Sequence, residues 1–281
     1  MFRRSVLLCG ILALVALVAP GMTGISGKTW AADRGFIIVQ STTSTQNSGL
    51  FDAILPKFRA KIGIEVRVVA VGTGQALKNG RNGDGDVLLV HARAAEDRFI
   101  AEGFGVERRA VMSNDFVIIG PPDDPGGVKA MRDAPAALAK IAGTKALFVS
   151  RGDNSGTHIK ERSLWQASAV NPSGASGTWY REAGSGMGAT LNTAVGMGAY
   201  TLTDRATWIS FRNRRDFEIL VEGDKRLFNP YGVMLVNPKR HTHVNVAGGR
   251  AFIAWLTGDE GRAAIAAYHV SGIQIFYPSA K

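Results

Sequence analysis

Short apolar runs alternate with helical periodicities almost to the end of the chain. Residues 36–40 read as a strand. A Ser/Thr-rich stretch follows, and then Leu50, Phe51, Ile54, Leu55 and Phe58 fall at helical spacing. Pro56 should kink that helix and Gly63 should cap it. Residues 64–71 are β-branched and long enough for a second strand, and Val87–Val90 reads as a buried one. Further strands are expected at 116–119, 146–149, 199–203, 219–221 and 233–236. Helices fit 94–102, 128–141, 157–169, 187–195 and 246–268. This alternation argues for an α/β fold with mostly parallel strands. No internal repeat or low-complexity linker interrupts it. For 281 residues that fits two lobes joined by crossing strands better than tandem domains.

The first residues follow a different pattern. Arg3 and Arg4 precede an apolar run from Val6 to Ala19, then Pro20, with Thr29 and Ala31 at the −3 and −1 positions of a cleavage site. The run is shorter than the ~20 residues that span a bilayer. Residues 1–31 therefore read as a signal peptide, and the remainder as exported to the periplasm. The single cysteine, Cys9, lies in this segment after Leu7 and Leu8, a context unlike a lipid-anchor site. The remaining chain has no cysteine, so it can use neither a disulfide nor a thiol nucleophile nor a Cys-ligated metal. With 46% hydrophobic and 20% charged residues the chain is neither disordered nor fibrous. Its net charge of +10 favours anionic partners, but the basic residues are scattered and do not indicate nucleic acid.

Four segments each end a strand with small, donor-rich residues and open a helix. They are Ser41-Thr42-Thr43-Ser44-Thr45, Gly72-Thr73-Gly74-Gln75, Ser150 through Thr157, and Gly184 through Thr190. In open α/β sheets, ligands bind beyond the carboxyl ends of strands, where free helix amides attract anions. Taken singly, the first segment also reads as a helix cap and the second as a turn. The fourth imitates a dinucleotide fingerprint without the βαβ unit and acidic ribose contact that would support it. The third is the specific one: Arg151, Asp153, Ser155 and Thr157 fall within seven residues, and Asp153 is placed to hold the guanidinium. Its plain alternative is a surface ion pair plus a cap.

Arg151-Gly-Asp-Asn-Ser-Gly-Thr157 resembles the oxyanion motif of periplasmic phosphate-binding proteins. The fuller resemblance is to the tungstate-binding proteins of ABC transporters, the Tup type. It runs through Thr42–Leu50, Val71–Leu77, Asp86–Ala92, Asn114–Ile118, the Arg151 motif, Gly186–Asn192, Thr201–Arg205 and Phe228–Val233. It implies a type II periplasmic binding protein: two α/β lobes, two hinge crossings and the ligand in the cleft. Lobe 1 would span 32–112, lobe 2 would span 113–231, and 232–281 would return to lobe 1. The implied ligand contacts are Thr43, Ser44, Thr73, Arg151, Ser155 and Thr157, with the Met187 and Gly188 amides and Arg205. No cofactor or metal is implied. The partners would be a small oxyanion and an ABC transporter permease, with membrane contact only through that permease, and the chain would be a monomer. Residues 171–177 depart from the pattern and should form a longer surface loop.

With Asp153 given to Arg151, no acceptor remains for a ligand proton. That favours a fully deprotonated oxyanion such as tungstate over phosphate; molybdate, sulfate and phosphate stay open as alternatives. The rival class is an exported phosphatase-like hydrolase using Ser155 or Ser44 with His158. Gly-x-Ser-x-Gly is absent around both serines, and His158 is poorly placed on the same helix as Ser155. His241 and His243 have metal-compatible spacing but no third ligand. His91 and His158 lie near the cleft segments, and the Arg-rich run 212–215 reads as a solvated face.

Overall fold

The computed structural model describes residues 35–280; the leader expected at 1–31, with Cys9, lies outside the described residues. The described chain opens with β1 (Phe36–Thr42), α1 (Thr43–Asn47) and α2 (Leu50–Ile62), then β2 (Glu65–Val71), α3 (Thr73–Asn82), β3 (Val87–Val90) and α4 (Arg93–Ala101). β1 pairs in parallel with both β2 and β3. All four β3 residues are buried, as a strand covered on both faces requires. α2 buries Leu50, Phe51, Ile54 and Phe58, and Gly63 ends it at φ 80°. The helix runs unbroken through Pro56. The missing N–H would have served Asp52, and both residues lie on the exposed side, where solvent can take the carbonyl.

The next strand, β4 (Gly105–Gly120), is 16 residues long, four times the run that apolar patterning marks. It is followed by α5 (Ala134–Thr144), β5 (Phe148–Ser150), α6 (Gly156–Ala167), β6 (Tyr180–Glu182), α7 (Met187–Met197), β7 (Thr201–Asp204), α8 (Arg205–Ser210), β8 (Glu218–Val221) and β9 (Phe228–Val236). β9 returns antiparallel along the first part of β4 and then pairs with β3. β7 and β8 pair with the far part of β4. Within this eight-stranded sheet only the two β1 pairings are parallel, so the expectation of mostly parallel strands is corrected. A buried apolar strand reads the same in either direction; the return route of the chain sets its polarity.

Two large apolar cores result. One gathers β1, β3, β9 and α2 with α9 (Val246–Thr257) and α10 (Asp259–Ala266); the other gathers α5, α6, β5 and β6. β4 belongs to both: Val117 and Ile119 face the first core, Phe116 and Ile118 the second. The helix expected at 246–268 is two, because Gly258 adopts an extended conformation between them. The helix expected from 128 begins at Ala134, where the Asp133 carboxylate accepts the Ala136 N–H at 2.9 Å. Residues 171–177 form an exposed connection with one 3-10 turn, Pro172–Ala175.

Candidate functional site

Four helix starts meet at one place. The Gly156 N–H, first residue of α6, donates to Thr73 Oγ1, first residue of α3, at 3.1 Å. A Cβ on Gly74 would lie 3.1 Å from the Asn154 carbonyl, and one on Gly186, the cap of α7, 3.6 Å from Thr43 Oγ1. Arg151 spans the gap: its Nη1 lies 3.4 Å from Ser44 Oγ and its Nη2 3.4 Å from Thr43 Oγ1. Ser44, Thr73, Arg151, Ser155, Thr157 and Met187 are all buried; Thr43 and Gly188 are half-buried. The structure therefore brings together eight of the nine residues singled out in the sequence.

Local chemistry shapes the Arg151 loop. Gly152 sits at φ 62°, and a Cβ there would lie 3.0 Å from that of Glu182, so only glycine fits the turn. Asp153 Oδ2 accepts from Arg151 Nη2 at 2.5 Å, while Oδ1 accepts the Ser155 N–H at 3.1 Å. Ser155 caps α6 by accepting the His158 N–H at 3.2 Å. Two buried donors of the Arg151–Thr157 loop have no protein partner, Arg151 Nε and Thr157 Oγ1, and Asn114 Nδ2 in the adjoining wall is a third. A buried polar atom without a partner costs about 1–3 kcal/mol, so such a pair in one place fits a site built for a ligand's oxygens. Thr73 Oγ1 already accepts a hydrogen bond, which leaves its own proton to donate.

The walls are neutral or already engaged. Burial, opposed by the Asn229 hydrogen bond and reinforced by nearby Arg151, pushes the His91 imidazole down to about 4. Asn229 Nδ2 donates to Asn114 Oδ1 at 2.7 Å, so its Oδ1 accepts from His91 Nδ1 at 3.0 Å. Asp204 is fully buried, and burial raises its carboxyl above the usual range against the lowering effect of its hydrogen bonds and of Arg151. Its oxygens accept the Thr207 N–H at 2.9 Å and the Thr207 hydroxyl at 2.6 Å. The cluster is rich in donors and its carboxylates are spoken for. Asp204 caps α8, a role that an Asp at a helix start signals, but only the fold brings it into these surroundings.

Arg205 is the residue the structure does not bring in. Its Nε and Nη2 grip Asp115 at 2.7 Å each, and Nη2 also meets Glu222 at 2.7 Å. Its hydrogen bonds to Asp115 and then Glu222 raise the pKa of its guanidinium above the ordinary range, against the lowering effect of burial. The hydrolase reading also loses its geometry: His158 Nδ1 accepts the Asn154 N–H at 3.0 Å, and Ser155 Oγ is used by the His158 backbone. His241 and His243 hydrogen-bond the carbonyls of Arg81 and Gly83 at the end of α3. Among the described residues no group of three or more His, Cys, Asp or Glu is placed to hold a metal.

Comparison with known proteins fits this geometry. A family model described as a PBP superfamily domain matches residues 26–260. The tungstate-binding protein TupA of Peptoclostridium acidaminophilum is 43% identical over 284 residues, covering 97% of this chain and 98% of that one. The crystal structure of the tungstate ABC transporter from Geobacter sulfurreducens matches with a TM-score of 0.76 and 49% identity, over 84% of this chain and all of that one. The tungstate-binding protein TupA of Desulfovibrio alaskensis matches with a TM-score of 0.74 and 46% identity, over 88% of this chain and all of that one.

Proposed function

This chain belongs to the PBP superfamily and to the family of these tungstate-binding relatives, and from that premise we propose that it is the substrate-binding protein of an ABC transporter that captures tungstate for import. The observation that carries the reading is the pair of buried, unpartnered donors, Arg151 Nε and Thr157 Oγ1, in a cluster whose carboxylates are engaged. A tetrahedral dianion leaving water needs donors and positive potential on every side. Thr43, Ser44, Thr73, Arg151, Ser155 and Thr157 supply them, with the Met187 and Gly188 amides at the start of α7. Arg205 supports the site from outside by fixing α8 to β4. The lack of a free acceptor favours an anion that carries no proton, which sets tungstate and molybdate ahead of phosphate.

We assign lobes at 32–112 and 113–231, with 232–281 returning to the first; the second apolar core lies wholly within 113–231, while Met187, Leu191, Ala206 and Trp208 of that stretch pack into the first core. Among the described residues no helix is long and apolar enough to cross a membrane. From the charged and apolar leader we read the chain as exported to the periplasm, as a monomer whose partner is the permease. Isothermal titration of the chain from residue 32 onward with tungstate, molybdate, sulfate and phosphate tests the reading. Tight binding of tungstate and none of phosphate is expected; a preference for phosphate would overturn the choice of ligand, and silence with all four would overturn the function.

A further inference from the structure

We infer that Glu161 is a positioning residue for the oxyanion site: its buried carboxylate gathers the backbone and side chain of the Ser150–Gly152 segment and so holds Arg151 in its binding pose. This rests on the reading of Arg151 as a ligand contact. Glu161 lies on α6 and is 1% exposed. Its Oε2 accepts from Ser150 Oγ at 2.8 Å; its Oε1 accepts from Tyr180 Oη at 2.7 Å and from Trp165 Nε1 at 3.2 Å. The Arg151 backbone N–H also points to this carboxylate. Ser150 Oγ in turn accepts the Gly152 N–H at 3.2 Å, so Ser150, Arg151 and, through Ser150, Gly152 are all tied to one carboxyl group. A lone buried carboxylate is costly, and burial pushes this one up to about 7 despite its donors.

A carboxylate that served only the second core needs no link to this loop. Tyr180 and Trp165 are core residues, but Ser150 and the Arg151 amide lead directly to the guanidinium. Without the anion, the end of β5 loses its tether, and the Arg151 side chain, extending from that backbone, loses its register. A buried network of this kind is worth most when every member is satisfied, and a change in one is felt by the rest.

The test is a double-mutant cycle read by titration with sodium tungstate, with melting temperature measured in parallel. Glu161→Gln keeps the shape but exchanges an acceptor for a donor. It should weaken tungstate binding about tenfold, whereas Leu164→Ala, a cavity in the same helix, should lower the melting temperature and leave affinity within twofold. Combined with Arg151→Lys, the Glu161→Gln loss should largely vanish, because it acts through the guanidinium. If Glu161→Gln binds as the wild type does, or if its loss persists undiminished beside Arg151→Lys, the inference is overturned. Should Glu161→Gln fail to fold, Ser150→Ala cuts the same tether from the other side and is expected to show the same non-additivity. A wild type that binds no tungstate removes the functional reading and this inference with it; a wild type that binds while the cycle is additive removes this inference alone.

Discussion

Arg151 carries the only positive formal charge in its loop, and the Asp153 carboxylate fixes it in the cluster. Hydrogen bonds to charged groups contribute about 1.5–3 kcal/mol each, so Arg151→Ala should weaken tungstate binding at least tenfold with unchanged circular dichroism. Arg151→Lys keeps the charge but loses the planar fork, and should fall between that variant and wild type. Wild-type affinity in Arg151→Ala would reduce the loop to a cap and an ion pair. Thr157 makes a different prediction, since its buried hydroxyl has no partner in the protein. Thr157→Val should weaken binding by about 1 kcal/mol yet stabilise the ligand-free protein by a similar amount, a split sign that titration and urea unfolding resolve together. The Arg151–Asp153 pair was legible in the sequence because both residues sit in one loop. The true partners of Arg205 were not: Asp115 is 90 residues away and Glu222 is 17, and only the return of the chain against β4 brings them in.

Among the elements, α6 is the one whose first residue must be small. A Cβ on Gly156 would lie 2.9 Å from His91 Cε1 and 3.0 Å from Thr73 Oγ1, both on buried side chains with little room to yield. Gly-to-Ala inside a helix ordinarily stabilises by about 0.5–1 kcal/mol. Gly143→Ala, in α5 with open space around it, should show that gain and leave binding alone. Gly156→Ala should lose it and weaken tungstate binding severalfold by pushing the α6 and α3 starts apart. Equal melting temperatures and affinities for the two variants would mean that the close approach of these helices is unimportant. Helix positions were largely legible because capping residues and apolar spacing are local. Strand direction was not, and neither was the first part of β4, where Glu107, Arg108 and Arg109 hide the strand: its ladder with β9 shifts register there, and the alternation with it.

For the molecule as a whole, the buried His91 and Glu161 make opposing contributions to stability against pH. Burial lowers His91 from 6.5 to about 4 in the folded chain, so between those values the unfolded chain holds the extra proton. Stability attributable to His91 therefore falls as pH drops through that window, by up to about 3 kcal/mol. Burial raises Glu161 from 4.5 to about 7, so there the folded chain holds the extra proton, and stability rises as pH drops from 7 to 4.5. From 6.5 down to 4.5 the two slopes oppose each other and nearly cancel. Neither sign is legible in the sequence, since both follow from burial that only the closed packing of the cores creates. His91→Gln keeps a polar partner for Asn229 and removes one of the two titrations. Its stability, measured by urea unfolding at intervals from pH 7 to pH 4, should rise relative to wild type as the pH falls. Parallel profiles for the two proteins would mean that His91 takes up its proton as readily in the folded chain as in the unfolded one, and that the wall beside Arg151 is charged rather than neutral.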